Sequence, residues 1–277
     1  MDILWIRLGD VEHPAAQHIQ TMIRSNVSLT AESNMRYLRS LNFVAFGLAV
    51  ICAGTGLAAG LGARWGAWHF RTGFMLLTWA AYGALAAAVL GLVALIVNRS
   101  SNKAIFFALA SIILAIFVAG IPWQMKQRAQ QVPPIHDITT DTENPPAFVA
   151  ILPLRANAAN SVEYKGTEVA AQQKKAYPDL QPLTVNAPPD VAFQRALRAA
   201  RDARWDIVES RPDQGRIEAT DTTLWFGFKD DVVVRVTSQD GASRIDVRSV
   251  SRVGKSDVGT NATRIRNYLS KVQRTES

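Results

Sequence analysis

The chain has 277 residues, enough for one membrane module and one domain of ordinary size, and is 48% hydrophobic with a formal net charge of +7. The charge is uneven: the part from Pro133 onward carries only +1, and the part before it +6. A nucleic-acid-binding domain should hold the basic excess itself, so the composition argues against a nucleic-acid partner. The one cysteine, Cys52, lies in an apolar run, which excludes a disulfide framework and a cysteine metal site.

Residues 1–40 form an N-terminal segment of mixed character, in which Ile3, Trp5, Ile6 and Leu8 are candidates for a short apolar element. Met35-Arg36-Tyr37-Leu38-Arg39 reads as a start in its own right, a basic n-region before an apolar run. Whether residues 1–34 belong to the native protein is therefore a question for N-terminal sequencing.

Residues 41–123 read as a module of three transmembrane helices. Leu41–Leu61, Gly73–Val97 and Ala104–Trp123 each have about 20 residues or more, enough for a helix to cross ~30 Å of hydrocarbon. Trp65, Trp68, Phe70 and Trp123 lie at span ends, where amphipathic rings settle. None of the runs contains Asp, Glu, Lys, Arg or His, the residues that mark ion pathways, which disfavours a transporter and favours an anchor or docking module. Gly56 and Gly60 in the first run, and Gly83, Ala87 and Gly91 in the second, are spaced for close helix approach. They read either as a seam with another membrane protein or as a seam within the bundle. Arg24, Arg36, Arg39, Arg99 and Lys103 on one side against Arg64, Arg71, Lys126 and Arg128 on the other place the N-terminus inside. Three spans then carry the C-terminal domain out, to the periplasmic side of a bacterial inner membrane.

Residues 124–132 read as a polar connector, and 133–277 as the soluble domain. Nine of the 12 prolines fall between Pro133 and Pro189, so the first half of this domain is expected to be extended and loop-rich. Thr167–Tyr177 is a candidate helix with Thr167 as N-cap, and Pro182–Val185 a candidate strand. Asp190–Ala203 reads as an amphipathic helix with Phe193, Ala196, Leu197 and Ala200 on one face. Strand patterns follow at Trp205–Glu209 and Gly215–Ala219. Leu224, Phe226 and Phe228 share one face, with Trp225 opposite. A turn at Lys229-Asp230-Asp231 precedes the alternating Val232, Val234 and Val236. A hairpin signal at Gln239-Asp240-Gly241 precedes Ile245, Val247 and Ser249. Asn261–Val272 closes the chain as a helix. The expected fold is α+β, an antiparallel sheet with helices packed on one face and polar residues on the other.

Two stretches invite a functional reading. In the first, His136, Asp137, Thr139 and Asp141 offer a histidine beside carboxylates. A zinc site needs three or four ligands and a hydrolase needs a nucleophile elbow, neither of which accompanies them, so no catalytic residue, metal or cofactor is assigned. The structural reading is an Asx-rich loop. In the second, Arg252, Gly254, Lys255, Ser256, Asp257, Gly259, Asn261 and Arg264 span a strand end, a turn and a helix start, an arrangement suited to an anion. The structural reading is glycines at unusual backbone angles and a cap by Asp257, Thr260 or Asn261.

Ile135-His136-Asp137-Ile138-Thr139-Thr140-Asp141 with Pro145-Pro146, together with Ser251-Arg252-Val253-Gly254 through Arg264-Ile265, resembles the bacterial and plastid family of unknown function numbered 1499, over roughly Pro133 to Leu269. The resemblance implies that both stretches belong to one domain; it implies no activity. The functional expectation is a membrane-anchored accessory or docking protein. The alternative is a domain that holds an anionic ligand between the His136–Asp141 loop and the Arg252–Arg264 turn.

Overall fold

The computed structural model describes residues 14–274, so the short apolar element expected at Ile3–Leu8 lies outside the described residues. Three helices come first, α1 (Pro14–Arg64), α2 (Phe70–Val97) and α3 (Asn102–Gln131). Each contains a segment long and apolar enough to cross a membrane: Ser40–Arg64, Phe70–Val97 and Asn102–Gln131. The stretch expected as a connector, residues 124–131, is instead the last two turns of α3, because Gln, Met, Lys, Arg and Ala all favour helix and nothing stops them before Val132.

By Cα proximity the described residues divide into two compact units, one of residues up to 54 with 80–119 and the other of 55–79 with those from 120 onward. In the first, Cys52, Ala80, Ala84, Ala115 and Val118 form an alanine-rich core, and Phe107 packs on Phe43 and Phe46 at ring distances of 5.0 and 5.2 Å. A Cβ on Gly83 would fall 2.6 Å from the Cys52 sulfur, and one on Gly91 would strike Ser111. Ala87 is fully buried. These small residues pack within the chain, where they let helix backbones approach closely.

The second unit holds the α+β domain. Its strands are β1 (Asp137–Thr139), β2 (Leu183–Val185), β3 (Asp206–Arg211), β4 (Arg216–Thr222), β5 (Lys229–Gln239) and β6 (Ala242–Ser251). All pairings are antiparallel in the order β1-β6-β5-β4-β3, with β2 sharing the outer edge of β6 beside β1. The β5–β6 hairpin turns on Asp240 and Gly241, both at positive φ (48° and 81°), as a two-residue primed turn demands.

Of the three further helices, α4 (Thr167–Ala176) lies beside β1 at the sheet edge, and α5 (Pro189–Asp202) and α6 (Thr260–Arg274) lie over one face. Gly166, not Thr167, occupies the N-cap of α4. Phe193, Ala196, Leu197, Ile265 and Val272 pack on Val232, Val234, Val236, Ile245 and Val247. Each buried valine, leucine, isoleucine or phenylalanine among them contributes about 1.5–3 kcal/mol. Trp205 stacks on Tyr268 at 4.7 Å, and the Tyr268 hydroxyl donates to the Ala196 carbonyl at 2.8 Å. Burial pushes that hydroxyl's pKa well above its usual range, so it stays a neutral donor.

Three expectations are corrected here. Leu224–Phe228 forms no strand: it is a connecting loop, and its alternating aromatics imitate the period of a strand. Lys229-Asp230-Asp231 is not a turn but the start of β5, with its two carboxylates on opposite faces of the sheet. The polar residues of the other sheet face are also not in water. Residues 141–162 cover them, and Phe148 and Ile151 pack there on Val233 and Val250.

Candidate functional site

The Pro133–Phe148 stretch folds back along the edge of β6 and meets the turn before α6. Ile135 O accepts from Asp257 N at 3.2 Å, while His136 O accepts from Ser251 N at 3.0 Å and from the Asn261 amide at 2.9 Å. The His136 ring lies with Nδ1 3.4 Å from the Lys255 carbonyl oxygen.

The acidic side chains of this stretch are engaged by arginines of the sheet. Asp137 takes a two-pronged bond from Arg248 (2.9 and 2.7 Å), which also donates to the carbonyls of Pro146 (3.2 Å) and Val162 (2.6 Å). The Arg248 guanidinium lies between the Phe148 and Tyr164 rings, 5.3 and 5.5 Å from their centroids. Burial, helped by the nearby Asp137 charge, raises the Tyr164 hydroxyl to about 12. Asp141 accepts from the backbone N–H groups of Glu143 (3.1 Å) and Asn144 (2.9 Å) and pairs with Arg235 and Arg244, which also hold the buried Asp246. Thr139 exchanges both backbone hydrogen bonds with the buried Gln173 amide of α4 (2.9 and 2.6 Å), which stands in for a neighbouring strand.

Two cations of the turn, Arg252 and Arg264, are likewise committed. Arg252 grips both oxygens of Asp231 (2.9 and 2.8 Å) and donates to the Leu154 carbonyl (3.0 Å); Arg155 reaches Asp231 from the covering loop at 2.5 Å. Burial pushes the Asp231 carboxyl up, but the bonds from Arg252, Thr220 and Arg155 more than offset it and hold the group below the usual carboxylate range. Arg264 binds Asp221 (2.7 Å) and Asp230 (2.6 Å), and also the Asn261 side chain. Asn261 receives the Ser249 hydroxyl at 2.8 Å.

The backbone donors at the start of α6 are taken by the protein itself. Asp257 accepts from Gly259 N at 2.9 Å and Asn261 N at 2.6 Å, filling the position an anion would use. Burial raises the Asp257 carboxyl above its ordinary pKa, and the two N–H bonds only partly oppose it. Gly254 (φ 97°) and Gly259 (φ 78°) supply the left-handed backbone of the turn. The Gly254 carbonyl accepts from the Asn160 amide at 2.8 Å, and the Ser256 hydroxyl accepts from Val258 N at 3.1 Å.

The candidate residues therefore divide between cavities. His136, Asp137 and Lys255 line one of about 400 Å3 together with Lys165, Glu163 and Asn160. Gly259 and Arg264 line another of about 480 Å3 with Arg128, Arg204 and Lys271. Arg252 is tied to Asp231. Among the described residues, no group of three or more His, Cys, Asp or Glu side chains is placed to hold a metal ion.

Sequence reasoning missed the residues that hold the covering loop down. The buried Glu218 carboxylate accepts from three consecutive backbone N–H groups, Val149 (2.9 Å), Ala150 (3.1 Å) and Ile151 (2.9 Å), and faces Arg216 at 2.9 Å. Arg155 donates to the carbonyls of Val250 (3.2 Å) and Asn160 (2.9 Å). Neither residue belongs to a local motif. The available signal was the density of charge on strand positions that alternate with valine and isoleucine.

Residues 137–272 match the family model described as protein of unknown function, DUF1499. This span covers both stretches singled out in the sequence, and the three apolar helices precede it. No curated protein matches the chain. The α+β part of the chain is thus similar to the DUF1499 family, and it follows three helices long and apolar enough to span a membrane.

Proposed function

We propose that this protein is a membrane-anchored accessory protein of a bacterial inner membrane, with its α+β domain on the periplasmic side, where it docks on another component of the membrane or envelope. The fate of the buried charge carries this reading. Among the described residues, the buried carboxylates Asp137, Glu218, Asp230, Asp231 and Asp246 are each held by an arginine of the same domain. Groups held so firmly build a rigid surface rather than a proton-transfer centre. The apolar runs free of Asp, Glu, Lys, Arg and His support an anchor, and five basic residues against four beside the spans support the orientation. Since Gly83, Ala87 and Gly91 pack within the chain, the partner is expected at other surfaces.

Alkaline phosphatase fused after Ser277 should be active; a reporter active there only in the cytoplasm would reverse the orientation. Mild cross-linking in membranes, then solubilisation and purification, should give one stoichiometric partner. Recovery of the chain alone would remove the accessory role.

The cavity at His136 supports a second reading, an anionic ligand. Lys165 and Lys255, from separate segments, line it with His136. Under this reading, inorganic phosphate or pyrophosphate should raise the unfolding temperature of the purified protein, and Lys255→Ala should abolish the shift.

A further inference from the structure

We propose that the β4–β5 connection, Thr223–Phe228, is a lipid-facing wedge, with Leu224 inserted at the edge of the bilayer hydrocarbon beside α1 and α2. The proposal holds whichever side of the membrane the domain occupies.

The loop's docking fixes its level. The Trp225 indole N–H donates to the Leu57 carbonyl at 3.2 Å, and its ring lies over Gly60, where any Cβ would collide with it. Phe226 is buried against Phe74 (4.9 Å) and closes on Gly73, where a Cβ would come within 2.9 Å of its ring. The Gly227 backbone lies along Arg64: a Cβ there would be 3.0 Å from the Arg64 Cα, and φ is +67°. Leu57 and Arg64 are two helical turns apart, so the loop is bracketed within about 10 Å of helix axis. Leu57 and Gly60 belong to the first apolar run and Gly73 opens the second. That level is where the headgroup layer gives way to hydrocarbon.

The loop's polar backbone is satisfied in a way suited to lipid. Arg64 Nη1 donates to the carbonyls of Thr223 and Leu224, both at 2.8 Å. Thr223 N donates to Phe228 O (2.8 Å), Gly227 N to Thr223 O (3.1 Å) and Phe228 N to the Thr223 hydroxyl (2.8 Å). A loop in water needs none of this closure, whereas a peptide group left open in hydrocarbon costs several kcal/mol. Arg64 can reach the loop and still keep its charge at the interface.

What remains outward is apolar. Leu224 is 86% exposed, and Trp65, next to Arg64, is 74% exposed. A single exposed leucine on a soluble domain carries no message. This one projects from a loop whose neighbours are pinned to a membrane helix, so lipid is the solvent at hand.

The test places a cysteine at the tip. Leu224→Cys in a Cys52→Ala background is labelled with an environment-sensitive dye, and the full chain is reconstituted in phosphatidylethanolamine–phosphatidylglycerol vesicles. Asp240→Cys, at the exposed tip of the β5–β6 hairpin, is the reference. The dye at 224 should emit to the blue of that at 240, be quenched by lipids spin-labelled near the top of the acyl chain, and resist aqueous iodide. Quenching at 224 by iodide as strong as at 240 would overturn the proposal. So would protection from both quenchers, which would mean that protein, a second copy included, covers the tip.

Discussion

The two faces of the sheet are both buried, yet they are built from opposite chemistry. Toward the helices, β5 and β6 present Val232, Val234, Val236, Ile245 and Val247. Toward the loop, the same strands and β4 present Glu218, Asp231, Asp246 and Arg248, all buried. The difference lies in what covers each face. A helix pairs its own backbone groups, so it asks only for apolar contact. Residues 141–162 have no ladder of their own, and as a buried loop they need donors and acceptors from outside. Glu218 serves three N–H groups, and Arg155, Arg235, Arg248 and Arg252 serve carbonyls along the loop. The ionic face is the means by which irregular chain can cover a sheet.

This contrast can be broken by substitution. The largest effect is expected from Glu218→Leu, which leaves three consecutive N–H groups of the covering loop without their acceptor; denaturant unfolding of the purified protein in detergent should show a loss of about 3–5 kcal/mol. A loss under ~1 kcal/mol would mean the loop does not depend on that carboxylate. Next is the double change Asp137→Leu with Arg248→Met. An isolated buried ion pair tolerates such a swap almost neutrally, but here the carbonyls of Pro146 and Val162 also lose their donor, so about 2 kcal/mol should remain lost. Full recovery in the double variant would reduce Arg248 to a partner of Asp137 alone. On the helix face, Ile245→Val removes one methylene and should cost only about 0.5–1.5 kcal/mol by the same assay.

The smallest expected signal is a difference in pH dependence. Asp231 has a depressed folded pKa, so its contribution is present above the ordinary carboxylate range and is lost as pH falls through the folded value. Asp257 has a raised one, so its contribution is complete below the ordinary range and is lost as pH rises through the folded value. In melting temperature against pH, Asp231→Asn should flatten the acid limb and Asp257→Asn a window above it. Identical profiles for the two variants would contradict the assigned directions.

Much of the helix-facing half was legible in the sequence. Valines at alternate positions, the Asp240-Gly241 turn and the apolar stripe of α5 each report a local period, and local period is what a covered sheet and its helices require. The three apolar spans were legible from their length and their lack of charge. Three features were not. Leu224, Phe226 and Phe228 have a strand's spacing, but the partners of Phe226 and Phe228 are Phe74 and Phe70, some 150 residues earlier, and no local rule supplies them. Asp230 and Asp231 read as turn residues because their arginines, Arg264 and Arg252, lie elsewhere in the chain. Arg252 and Arg264 read as free cations for the same reason. The sequence displays a charge but not its partner, and the division of the candidate site follows from that.

The pairing of β1 with β6 also sets an order of events. Asp137 and Arg248 are 111 residues apart, and Arg264 lies further on. Long-range closure of this kind is slow, and it must wait for the last part of the chain to be synthesised. The first strand and its covering loop leave the ribosome early, tethered just beyond α3, with Ile135, Phe148 and Ile151 uncovered until β6 arrives. A nascent chain stalled before β6 is therefore expected to be open, and the arrival of β6 is the event that closes the domain.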